Sequence, residues 1–140
     1  MAHTTSKSNA SDPAHGGLSI ALAGSGGSGV MTAGTLLLSA AAKAGAYGLM
    51  VRTSGPQIRG GEAAALLRIA REPVASLDDG FHLLLAFDWQ NVHRFADEVP
   101  LTATSLVVGD EGEGEAPAAF VATGARVAAL PMKKMAKAIP

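Results

Sequence analysis

From Leu18 onward the apolar residues come in short runs punctuated by turn residues. Leu18-Ser-Ile-Ala-Leu-Ala23 is a brief apolar run that leads straight into Gly24-Ser-Gly-Gly-Ser-Gly29, as expected of a strand entering a tight loop. Val30 to Ala44 sets Met31, Leu36, Leu37 and Leu38 among small residues and meets Gly45, which predicts a helix and its stop. Tyr47 to Thr53 reads as a second strand. Ala63 to Ala70 reads as a third, in spite of its alanines, because Glu72-Pro73 cuts it short. Phe81-His-Leu-Leu-Leu-Ala-Phe87 is almost continuously apolar, the pattern of a strand covered on both faces. Asp88 is placed to cap a helix from Trp89 to Asp97, ahead of Pro100. Ser105 to Val108 and Arg126 to Leu130 are further strands, Asp110 to Pro117 an acidic loop, and Met132 to Ile139 a last helix.

Strands alternating with helices predict an α/β domain: a Rossmann-like parallel sheet with helices on both faces and right-handed crossovers. Met1 to Gly17 has no apolar period and is expected to be a flexible leader, so the domain is assigned to residues 18–140. Pro140 falls barely past the last helix, and a C-terminal portion of the domain is expected to be missing.

Composition narrows the function more than the fold. The 140 residues are 48% apolar and only 4% aromatic, with a mean hydropathy of +0.25; much of the apolar share is alanine, which favours closely approaching backbones. A formal net charge of -1 gives no electrostatic case for nucleic acid or an anionic membrane. Without cysteine the chain has no disulfide, no thiolate-held cluster and no thiol nucleophile. His3, His15, His82 and His93 lack close metal-ligand spacing. No run is long enough to span a bilayer and no signal-peptide core is present, so a cytoplasmic protein is expected.

Gly24, Gly26 and Gly29 satisfy G-x-G-x-x-G between a strand and a helix, with Gly27 beside them. Such glycines allow the tight turn and bring backbone N–H groups to a helix N-terminus, which favours an anion. They equally serve to let a helix pack tightly on a sheet. An NAD site wants an acidic residue about 20 positions beyond the loop, where this chain has Arg52 and Thr53; an arginine leaves NADP open. No Gly-Lys-Ser/Thr follows, so a nucleotide-hydrolysing P-loop is excluded. Ser54-Gly-Pro-Gln-Ile-Arg-Gly-Gly-Glu62 is the second informative loop. In a parallel sheet it emerges beside the first, at the carboxyl edge where ligands bind. Arg59, followed by Gly60 and Gly61, is either a phosphate or carboxylate contact or an ordinary ion-pair partner.

The pair Gly24-Ser-Gly-Gly-Ser-Gly29 and Gly55-Pro-Gln-Ile-Arg-Gly-Gly-Glu62 resembles the γ subunit or domain of the pyruvate/2-oxoglutarate:ferredoxin oxidoreductase family. Phe81 to Phe95 and Ala129 to Lys137 are similar to that family's following elements, so the resemblance covers about Leu18 to Pro140. Ser28 stands where the family has glutamine. The resemblance implies a 2-oxoacid oxidoreductase complex using thiamine diphosphate with magnesium, iron–sulfur clusters and coenzyme A, with ferredoxin as acceptor. It also implies α and β catalytic partner subunits, and a 2-oxoglutarate enzyme in particular. This chain would bind no cofactor alone and carry no catalytic residue. Gly24, Gly26, Gly27, Gly29, Arg59, Gly60 and Gly61 would form one edge of the coenzyme A-side surface. An independent NADP domain and a non-catalytic assembly module are the alternatives. Asp88 reads as a cap in preference to a catalytic acid, His82 and His93 as surface or packing residues, Lys133, Lys134 and Lys137 as a solvated helix face, and Trp89 as a packing residue.

Overall fold

The computed structural model describes residues 17–54 and 61–140. Its elements run β1 (Leu18–Ser25), α1 (Val30–Lys43), β2 (Tyr47–Ser54), β3 (Glu62–Ala70), β4 (Leu83–Ala86), α2 (Trp89–Val92), β5 (Leu106–Asp110), α3 (Ala118–Val121), β6 (Arg126–Leu130) and α4 (Met132–Lys137). Single 3-10 turns follow α2 and β5, at His93–Phe95 and Glu111–Glu113. The helix expected to reach Asp97 is therefore a short α turn prolonged by a tighter one. The acidic loop contains a 3-10 turn, and α3 escapes a reading by apolar period because it is a single turn. No helix among the described residues is long and apolar enough to cross a membrane.

The α/β class holds, but the sheet is mixed where a parallel one was expected. Its six strands lie in the order β2-β3-β1-β4-β5-β6. The pairs β1–β4, β4–β5 and β5–β6 are parallel, whereas β3 runs antiparallel to both β1 and β2. Loop length explains the departure. Residues 55–61 leave seven positions between β2 and β3, and a parallel crossover needs about a dozen or more. The chain has to turn back on itself, and β3 fills the gap between β2 and β1.

Two cores form, one on each face of the sheet, as successive strand residues point to opposite sides. Ile20, Leu22, Ala65 and Leu67 pack with Val30 beneath α1. Gly34 makes that approach possible, since a Cβ there would sit 2.8 Å from Met50 Sδ and 2.9 Å from Ala65 Cβ. On the other face Ala21, Ala23, Ala64 and Leu66 join Leu84, Trp89, Val92, Phe95, Val107 and Phe120. Trp89 is thus a packing residue, 6.4 Å from the Phe120 ring centroid. His82 has a backbone role: its Nδ1 accepts from the Ser19 N–H at 2.9 Å. His93 is exposed.

Candidate functional site at the carboxyl edge of the sheet

The connection from β1 leads towards β2 on one side, and β4, β5 and β6 extend the other. The sheet reverses direction of growth between β1 and β4, and at such a switch point the crevice beyond the strand ends is where α/β proteins bind ligands. The Gly-rich loop occupies this position. Gly24 is buried, and a Cβ there would lie 2.9 Å from both Phe87 Cβ and Ser28 Oγ, so this glycine serves packing. Gly26, Gly27 and Gly29 are exposed. Gly27 and Gly29 have φ of 87° and 91°, the left-handed region open to glycine at little cost. Ser28 folds inward, its hydroxyl donating to the Ser25 carbonyl at 2.6 Å.

Gly29 is the N-cap of α1 and provides no side-chain cap. The N–H groups of Gly27 and Gly29 have no partner among the described residues. Partly positive amides without a partner among the described residues therefore stand at the start of a 14-residue helix, an arrangement suited to an anion.

The end of the second loop meets the first. Arg59 and Gly60 lie outside the described residues, but the Gly61 carbonyl accepts from the Gly26 N–H. Glu62 stands opposite Ser25 in the β1–β3 register. The adjacency expected of a parallel sheet is reached by a hairpin instead, because β2 still points the same way as β1.

Three side chains complete the edge. Asp88 caps α2 through the Asn91 N–H at 2.9 Å. It also accepts from Ser25 N–H at 3.0 Å and from Asn91 Nδ2 at 3.0 Å. The residue read as a cap therefore also ties the end of β1 to the start of α2. Glu62 is 8% exposed and faces Arg94 Nη1 at 3.4 Å. The pattern of Gly-rich loops did not point to Glu62 or Arg94; an acidic residue opening a strand of alanines is the signal that marks the former.

Arg52 does not belong to this edge. It pairs with Ala65, which pairs with Leu22, so it lies across β3 from β1 and below the loop. In a dinucleotide site the residue reading the ribose ends the neighbouring strand. The NADP reading loses its one residue.

A cleft of about 340 Å³ opens at the ends of β5 and β6, between Trp89, Glu115 and Val127 among others. Its Asp110, the first residue of the expected acidic loop, instead ends β5 and is 4% exposed. Asp110 accepts from Lys133 N–H and Gly112 N–H, both at 2.9 Å. Those bonds, that to Lys133 foremost, hold its carboxyl below the ordinary aspartate range. Lys133 and Lys134 pair with Glu113 and Glu111, so these lysines are exposed but not free. Asp110 and Glu115 line this cleft, and the amides without a partner among the described residues are at the β1 edge.

The family comparison agrees with this architecture. The model of the pyruvate ferredoxin/flavodoxin oxidoreductase family matches residues 19–140. The chain belongs to that family. Among solved structures it is similar to a 2-oxoglutarate:ferredoxin oxidoreductase from Magnetococcus marinus with 2-oxoglutarate, coenzyme A and succinyl-CoA bound (TM-score 0.71, 27% identity). The match covers 86% of this chain and 21% of that one. The γ subunit of a keto/oxoacid ferredoxin oxidoreductase from Geobacter sulfurreducens shares the fold (TM-score 0.67, 20% identity, 86% of this chain and 65% of that one). So does the pyruvate oxidoreductase subunit PORC from Thermotoga maritima (TM-score 0.60, 16% identity, 85% and 64%). The chain thus spans about a fifth of the first and just under two thirds of the other two. No curated protein matches it.

Proposed function

We propose that this chain is the γ-type domain of a cytoplasmic 2-oxoacid:ferredoxin oxidoreductase, acting on 2-oxoglutarate, and that it forms part of the coenzyme A-side surface and of the subunit contacts. In such a complex thiamine diphosphate with magnesium supplies the decarboxylation chemistry, iron–sulfur clusters carry electrons to ferredoxin, and coenzyme A takes the acyl group. The chain has no cysteine and, among the described residues, no group of three metal-ligating side chains. In this reading the clusters and the magnesium are held by α and β partner chains or domains.

The observation that carries the coenzyme A part is the Gly26–Gly61 bond, which joins two glycine-rich loops beside the uncapped start of α1. The match to a coenzyme A-bound relative supports the choice of ligand. Gly27 and Gly29 would offer backbone N–H groups, Gly26 would tie the two loops together, and Arg59, two residues before Gly61, would offer a guanidinium. Gly24 supports the loop from below. Subunit contact is supported by the apolar residues exposed on both edge strands, Tyr47 and Val51 on β2 and Val127 and Leu130 on β6, since outer strands of an isolated domain are normally polar.

The test uses the complex purified anaerobically with its partner chains. Arg59→Ala should raise the coenzyme A KM by about tenfold, the loss of one charge-assisted contact, and leave the 2-oxoacid KM unchanged. An unchanged coenzyme A KM in a fully assembled complex would sink the reading.

A further inference from the structure

Glu62 opens β3, opposite Ser25 where the Gly-rich loop begins. Strand neighbours lie about 4.8 Å apart, so its backbone is within one strand spacing of that loop. Its side chain shares a face with Ala64 and Leu66, which pack against Val92 and Phe95, and so points under the turn that carries Arg94. A carboxylate that is 8% exposed needs a cation or strong donors to remain there. Arg94 is its partner, at a long 3.4 Å and through a single nitrogen, with its own side chain 55% exposed.

The pair is lopsided. The carboxylate is buried and the guanidinium is in the open. An arginine has five donor hydrogens in a rigid fork. Among the described residues Arg94 spends its donors on Glu62 alone, so most of the fork is left facing solvent at the carboxyl edge. A guanidinium tethered from beneath by a buried acid has lost part of its rotamer freedom before any ligand arrives, which lowers the cost of binding one.

The neighbouring carboxylates are each already engaged by partners of their own. Glu62 lies behind Arg94, and both oxygens of Asp88 already accept N–H groups, from Ser25 and Asn91. Lys133 and Lys134, the paired lysines, are occupied on the β5–β6 side.

We infer that Arg94 is a second guanidinium contact of the coenzyme A-side surface, taking a phosphate group of coenzyme A, and that Glu62 is the residue that positions it. The assignment rests on the proposed function above. The Gly-rich loop leads into α1 and Arg94 follows α2, so the two would meet such a phosphate from different elements. A planar fork suits phosphate oxygens, which it can bond in pairs.

The experiment is steady-state kinetics of the intact complex with coenzyme A, dephospho-coenzyme A and the 2-oxoacid varied in turn. Arg94→Ala should raise the coenzyme A KM about tenfold, or about 1.4 kcal/mol, with kcat and the 2-oxoacid KM unchanged. Arg94→Lys, which keeps the charge and loses the fork, should fall between. Glu62→Gln should raise the same KM by a smaller factor, and the double variant should be no worse than Arg94→Ala. An equal rise with dephospho-coenzyme A assigns the diphosphate; a rise confined to coenzyme A assigns the 3′-phosphate. Either supports the inference.

An assembled Arg94→Ala complex with unaltered coenzyme A KM overturns it, as does a rise only in the 2-oxoacid KM. Where Arg94→Ala fails to assemble, Arg94→Lys and calorimetric titration of that complex with coenzyme A separate the same outcomes: weakened binding supports the contact, and unchanged binding overturns it. A normal Arg94→Ala together with an impaired Arg59→Ala refutes this assignment and spares the proposed function. A wild-type complex without coenzyme A-dependent turnover refutes both.

Discussion

Two glycine-rich segments leave the carboxyl edge of the sheet, after β1 and after β5, and they behave in opposite ways. The first, Gly24–Gly29, ends in an N-cap with no side chain and leaves the Gly27 and Gly29 amides without a partner among the described residues. The second, Asp110–Gly114, contains its own anion: Asp110 takes the N–H groups of Gly112 and Lys133. Glycines and an exposed turn are common to both. The chain's own carboxylate decides which turn remains available to a ligand. Inside the second turn the carboxylate takes the Gly112 amide; behind the first, Asp88 takes the Ser25 amide and leaves those of Gly27 and Gly29 without a partner among the described residues.

The largest effect that can sharpen this contrast is expected at the base of the closed segment. A Cβ at Gly109 would lie 2.8 Å from Trp89 Cε2, inside a ring that is itself buried. Gly109→Ala should therefore destabilise the protein by about 3 kcal/mol, the upper range for overpacking, measured by urea unfolding. A near-neutral result would mean that Trp89 can swing aside and that the β5 side is no more fixed than the β1 side.

Backbone conformation separates the two turns next. Gly114 has φ 81° and ψ -155°, a region almost closed to other residues, and Gly114→Ala should cost about 2 kcal/mol. Gly29 has φ 91° and ψ 8°, near the left-handed helical region, with nothing within 4 Å of an added Cβ. Gly29→Ala should cost about 1 kcal/mol. Equal losses in thermal unfolding would erase the distinction between a turn closed on itself and one left open.

The smallest effect is in acid. The Asp110 carboxyl is held below its ordinary range in the folded protein, first by the Lys133 N–H. The stability it contributes is present above the unfolded aspartate value of about 3.9 and is lost as pH falls through the lower folded value. Asp110→Asn should thus lower the melting temperature at pH 7 and converge on the wild type in strong acid. A constant difference across that window would show that the amides of the second segment do not depend on the charge.

Much of the fold is legible in the chain. The apolar run of β1, the stop of α1 at Gly45 and the end of β3 ahead of Glu72-Pro73 all correspond to observed boundaries, because each depends on neighbours within a few residues. The direction of β3 was also readable from the seven-residue connection before it, yet alternation of strands and helices suggested a parallel sheet. At the site, the two Gly-rich loops were visible as motifs. Glu62, Arg94 and the second bond of Asp88 were not, because their partners lie 32 and 63 positions away.

By itself the sequence determined the composition of the chemistry: no thiolate, glycines at a strand–helix junction, and an arginine between glycines ahead of β3. These are local facts, fixed by which atoms and which torsions a stretch of chain has. Only the tertiary structure decided which loops meet, which strand separates Arg52 from β1, and which carboxylates are already satisfied. Those depend on strand order and burial, where residues far apart in the chain share one hydrogen bond or compete for one amide.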